Sequence, residues 1–128
     1  MKPITQEWID KAEGDWDSAL TLYRKRKGPN YDLACFLMQQ CAEKYLKAKL
    51  EEANVSVPKI HNLPNLLTLV LPIEPTWNAL LSDLRKLNDY AVDIRYPGKS
   101  AMKADAKAAI AHCRAVRKAA RQSFGLPV

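Results

Sequence analysis

Apolar residues recur at steps of three and four along almost the entire chain, and that period leaves room for little besides helices. Trp8, Ala12, Trp16, Ala19, Leu20 and Tyr23 trace one stripe, with Thr5 as a predicted N-cap and Glu7 in the first turn; the helix runs to about Arg26 and Gly28-Pro29 stops it. Asn30 caps a second helix whose broad apolar face includes Leu33, Leu37, Met38, Cys41, Tyr45, Leu46 and Leu50; it reaches about Ala53, a length of roughly 35 Å. A short helix covers about Leu63 to Leu71. A fourth spans about Thr76 to Ile94, with Trp77, Leu80, Leu84, Leu87, Ala91 and Ile94 inward, and Pro97-Gly98 ends it. The last, alanine-rich, runs from Ser100 to about Ser123. Two β-leaning segments, Val55 to Ile60 and Leu67 to Leu71, are short and bounded by prolines. The sum predicts an all-α fold: an up-and-down helical bundle of four long helices plus one short helix, one domain over residues 1–128.

With 48% hydrophobic and 27% charged residues the chain reads as a folded globular protein. It holds no apolar run of the ~20 residues that a membrane span needs, and no secretory leader, so a cytoplasmic location is expected. Cys35, Cys41 and Cys113 lack zinc spacing and read as reduced, buried side chains. No Gly-rich phosphate loop, HExxH or EF-hand pattern is present, so neither a metal nor a cofactor is expected.

The net charge of +6 favours a polyanionic partner. Between Lys99 and Arg121 stand seven cationic residues and one acidic one, Asp105. Lys99, Lys103, Lys107, Arg114, Lys118 and Arg121 line one side of the last helix, opposite Met102, Ala106, Ala109, Cys113, Val116 and Ala120. A solvated face explains the stripe; so does a phosphate track, although no aromatic residue interleaves with it for base stacking.

Polar residues inside apolar helical patterns mark the candidate site. Gln39, Gln40 and Glu43 lie toward one side of the second helix, where they would form an internal network or meet Arg95, while Lys44 points about 100° away from Glu43. His61 precedes Asn62-Leu63-Pro64, so it either caps the short helix or touches a ligand. Arg95-Tyr96 closes the fourth helix at a rim. There the guanidinium would complement the helix dipole or reach a phosphate, and Tyr96 would stack or offer its hydroxyl. Trp8, Trp16, Tyr23, Trp77 and Tyr90 read as core or interface anchors.

The order Trp-x3-Ala-x3-Trp-x3-Leu, then Tyr31-x2-Ala34-Cys35-Phe36-x2-Gln39-Gln40-x2-Glu43-Lys44-x-Leu46-Lys47-Ala48, His61-Asn62-Leu63-x2-Leu66-Leu67 and Leu87-x2-Tyr90-x4-Arg95-Tyr96-Pro97 resembles the HEPN family (higher eukaryotes and prokaryotes nucleotide-binding domain), from about Trp8 to Ala120. The resemblance implies a homodimer and a place beside a minimal nucleotidyltransferase in a two-component, toxin-antitoxin-like system. It also implies binding of a nucleotide or RNA through Arg95, Tyr96, His61, Gln40, Glu43 and Lys44. Ribonuclease members of the family carry Arg, four to six residues, then His. Here Arg95 is followed by Tyr96, Pro97, Gly98, Lys99, Ser100, Ala101 and Met102, with no His until His112. The enzyme question therefore leans to no, with no catalytic residue assigned. Two alternatives stay open: a metal-independent ribonuclease toxin using Arg95 with a non-standard proton carrier, and a non-catalytic protein-interaction module.

Overall fold

The computed structural model describes residues 1–93 and 96–128, and the side chains of all of these except 91–93. Its elements are α1 (Pro3–Arg24), α2 (Tyr31–Glu52), α3 (Leu63–Val70), a 3-10 helix (Pro75–Leu80), α4 (Leu81–Asp93) and α5 (Lys103–Ser123). The chain is all-helical among the described residues, and the two β-leaning segments form no strand: one is loop, the other lies in α3 and its end.

Helix α2 is the axis of the fold. Twelve of its 22 residues are buried, on nearly every side, because α1, α3, α4 and α5 all pack against it. Contacts fix the directions. Lys2 meets Glu51, Glu13 meets Tyr45, and the Tyr23 ring lies tilted against Tyr31 with centroids 6.0 Å apart, so α1 runs antiparallel to α2. Asp32 accepts the Ala101 N–H at one end and Lys49 donates to Ser123 at the other, so α5 runs parallel to α2. His112 on α5 faces Asp83 on α4 at 2.8 Å. The core joins Ile9, Trp16, Met38, Tyr45, Leu46, Leu63, Leu67, Leu84, Leu87, Ile110 and Val116, each large side chain contributing about 1.5–3 kcal/mol of burial.

Local chemistry accounts for most boundaries. Asn30 accepts the Leu33 N–H at 2.9 Å and caps α2, and Gly28 and Gly98 take the left-handed φ of 63° and 88° that their turns need. Four expectations are corrected. Thr5 is not an N-cap: α1 starts at Pro3, where proline suits the first turn, and Thr5 is buried with its hydroxyl donated to Glu52 at 3.0 Å. The same helix stops at Arg24, before Arg26. The fourth helix does not start as an α-helix: the residues after Pro75 wind first as a 3-10 helix that seats Trp77 and Leu80 in the core. Met102 does not belong to the apolar face of α5; it is the N-cap residue and 69% exposed. Ala91 and Ile94, expected inward, lie outside the described side chains. Cys35, Cys41 and Cys113 are buried and free, and burial pushes the Cys35 thiol up to about 12.

A polar knot ties α1, α2 and α5. Arg117 donates to both carboxylate oxygens of Glu13 at 2.6 and 2.8 Å, Tyr45 donates to Glu13 at 2.6 Å, and Arg121 donates to the Tyr45 oxygen at 3.2 Å. Burial alone would raise the Glu13 carboxyl, but the hydrogen bonds from Arg117 and Tyr45 and the two guanidinium charges hold it below its ordinary 4.5. Glu13→Gln is expected to lower stability by about 2 kcal/mol at pH 7. The folded carboxyl ionises more readily than the unfolded one, so its contribution is full above about pH 4.5 and fades as pH falls through the lowered folded value. Denaturant melts of wild type and variant should therefore converge in acid.

Candidate functional site

The second helix has a polar interior that its buried position makes expensive to leave unpaired. Glu43 is 4% exposed and Lys47, one turn on, 5% exposed. Lys47 Nζ donates to Glu43 Oε2 at 3.2 Å and sits 5.8 Å from the centre of the Trp8 ring on α1. Gln39 Nε2 donates to Glu43 Oε1 at 3.4 Å and to the His61 carbonyl at 3.3 Å, while Gln40 donates to Gln39 Oε1 at 2.7 Å.

His61 completes the cluster. Its Nδ1 lies 3.2 Å from both oxygens of the Glu43 carboxylate, yet its side chain is 77% exposed. An ionised carboxylate only accepts, so Nδ1 is the nitrogen that donates, and Nε2 faces out with its lone pair or proton available. The loop is held in place at two more points. Asn62 accepts the Asn65 N–H at 2.9 Å and caps α3, and Asn88 on α4 accepts the Leu63 N–H at 3.0 Å. His61 is thus not the cap of the short helix; Asn62 is, having the shorter side chain that reaches the orphan N–H. An imidazole anchored at one nitrogen and open at the other can hydrogen-bond a phosphate oxygen.

The expected site residues separate in space. Glu43 and His61 come together, and Gln40 joins them through Gln39. Lys44 does not join them: it reaches the other way and pairs with Asp15 on α1. Arg95 lies outside the described residues. Tyr96 is 66% exposed in the turn before α5, its carbonyl accepting the Lys99 N–H at 3.3 Å. The expected basic stripe also divides. Lys103, Lys107, Arg114 and Lys118 are exposed, with Arg114 placed 5.8 Å from the Trp16 ring centre. Arg121 is consumed by Glu13, Tyr45 and the Pro127 carbonyl.

Sequence reasoning missed Lys47 and Arg117, which pair with the inward carboxylates of Glu43 and Glu13. The i, i+4 spacing of Glu43 and Lys47 was the available signal. Among the described residues, shallow depressions of about 200 Å³ beside Ile4, Trp8 and Lys11 and about 420 Å³ beside Trp77, Leu80 and Ala119 open on the surface. Among the described residues, no three His, Cys, Asp or Glu side chains gather as a metal site would require, and no helix is long and apolar enough to cross a membrane.

Burial and exposure assign different costs to the two partners. Glu43→Ala strands the Lys47 ammonium in the core and should cost about 3–5 kcal/mol. His61→Ala removes an exposed ring and should change stability by less than about 0.5 kcal/mol. Thermal melts of the pair of variants check this contrast.

No curated protein matches the chain in sequence. Two solved structures share its architecture. TT1696 from Thermus thermophilus superposes with a TM-score of 0.79 at 18% identity, over 92% of this chain and 96% of its own. ST0689, described as an archaeal HEPN homologue, gives 0.76 at 27% identity, over 96% and 98%. The family model for the HEPN domain matches residues 5–123, a span that takes in every helix from the first turn of α1 to the end of α5. The chain belongs to the HEPN domain family.

Proposed function

We propose that the protein is the nucleotide- or RNA-binding component of a two-component, toxin-antitoxin-like system. In this reading it is a single HEPN domain over residues 1–128, working in the cytoplasm as a homodimer with a minimal nucleotidyltransferase. The observation that supports it is His61: an exposed imidazole whose Nδ1 is fixed by a buried carboxylate, leaving Nε2 as an outward group suited to a phosphate oxygen. Gln40 stands beside it through Gln39, and Arg95 and Tyr96 are the further contacts this reading expects. Membership of the family supplies the rest of the argument, and none of these roles needs a metal.

Titration with ATP and GTP at two salt concentrations tests the reading. Binding is expected at low salt, weakened about tenfold by His61→Ala through loss of a charge-assisted hydrogen bond. Arg95→Ala should weaken it as well. No signal with either nucleotide at either salt would leave the protein-interaction module as the better account.

One observation favours the ribonuclease reading as a second choice. The window after Arg95 lacks an imidazole, but the Glu43–His61 pair is a positioned one. Incubation with mixed RNA in EDTA, beside His61→Asn and Arg95→Ala, decides it: cleavage abolished in both variants would establish the enzyme, and intact RNA with wild type would remove it.

A further inference from the structure

The directions of the helices bring two distant basic runs to one end of the bundle. Arg24, Lys25, Arg26 and Lys27 close α1 and open the turn to α2, and all four are exposed. Lys103 and Lys107 form the first turns of α5 and are exposed too. Between them lies the start of α2: Tyr23 lies tilted against Tyr31 on one side, and Asp32 holds the Ala101 N–H on the other. Two runs at opposite ends of the sequence therefore share one pole.

The cations at that pole differ in kind from those deeper in the bundle. Lys44, Lys47, Lys49, Arg117 and Arg121 each face a carboxylate within 3.5 Å. Among the described residues, Arg24, Lys25, Arg26, Lys27, Lys103 and Lys107 face none. The acidic side chains nearby are Asp32, which accepts the Ala101 N–H, Asp105, which accepts the Met102 N–H, and exposed Asp89, which stands with Asp105 beside Tyr90. The six cations outnumber these acidic groups, and the excess positive charge is one that a polyanion would neutralise. The turn that leads into α5 also carries Tyr96, with two thirds of its surface open.

We infer that this pole is the docking surface for a single-stranded nucleic acid, its backbone tracked by Arg24–Lys27, Lys103 and Lys107 and one base stacked on Tyr96. The inference rests on the nucleotide- or RNA-binding reading above and names its surface. Exposed cations and an exposed aromatic ring at one end of a domain supply the chemistry of sequence-tolerant single-strand binding. An acidic protein would need the charge without the ring.

Fluorescence anisotropy with a labelled oligouridylate of about 20 nucleotides measures it, with salt varied at each step. Lys25→Ala, Arg26→Ala and Lys27→Ala combined should weaken binding at least tenfold at about 100 mM salt and reduce the log–log salt slope by about 2. The control removes the same charge elsewhere, from Lys59, Arg85 and Lys86, and should bind like wild type. Tyr96→Ala should weaken binding about fivefold without altering the slope. Equal losses in the two triple variants would overturn the assignment in favour of a general charge effect. Poly-glutamate competing as well as RNA of equal charge would overturn it in favour of an acidic protein. Nucleotide binding without oligouridylate binding would sink this surface and spare the proposed function, whereas loss of both would remove the two together. All the side chains changed are exposed, so melting temperatures should stay put and keep the comparison valid.

Discussion

Helix α2 is enclosed by four other helices, and everything polar on it must therefore find a partner inside the protein. That single constraint organises the interior. Glu43 and Lys47 neutralise each other, Gln39 bridges them to the His61 loop, and Tyr45 reaches Glu13, which Arg117 clamps from α5. The bonds to the His61 loop and to Glu13 join elements far apart in sequence. There the pairing that removes a desolvation cost is the same pairing that sets α1 and α5 against the core.

The same constraint produces the most reactive-looking feature of the surface. His61 is exposed, but its orientation is inherited from a carboxylate that is not. Because Lys47 already balances Glu43, the imidazole is held without being required for charge neutrality. Burial and exposure are thereby divided between the partners: Glu43 and Lys47 are enclosed among the helices, and the His61 ring stands at the surface. The polar knot around Glu13 has no such exposed member, which marks it as scaffolding rather than site.

Much of the fold was legible in the chain. The 3.6-residue period, the asparagine caps and the glycine and proline stops are local signals, and they place α2, α3 and most of α5 within a few residues. The errors share one cause. Thr5, the 3-10 turn after Pro75 and Met102 were each read from local pattern, whereas Glu52, the core around Trp77 and the approach of Asp32 decided them from a distance. Of the candidate site, Glu43 and His61 meet, Gln40 reaches them only through Gln39, Lys44 is drawn off by Asp15, and Arg121 by Glu13. Arg95 stands outside the described residues, so its part rests on sequence and family alone.

Composition and periodicity by themselves settled that this chain is helical, where most of its helices lie, and that its charge is positive. They could not settle which charges remain free. Pairing is a matter of distance through space, and a lysine's neighbour on another helix is invisible to a pattern read along one. Only the packed bundle showed that Lys47 is spent internally, that His61 is aimed outward by a buried acid, and that Arg24–Lys27 and the first turns of α5 meet at one end.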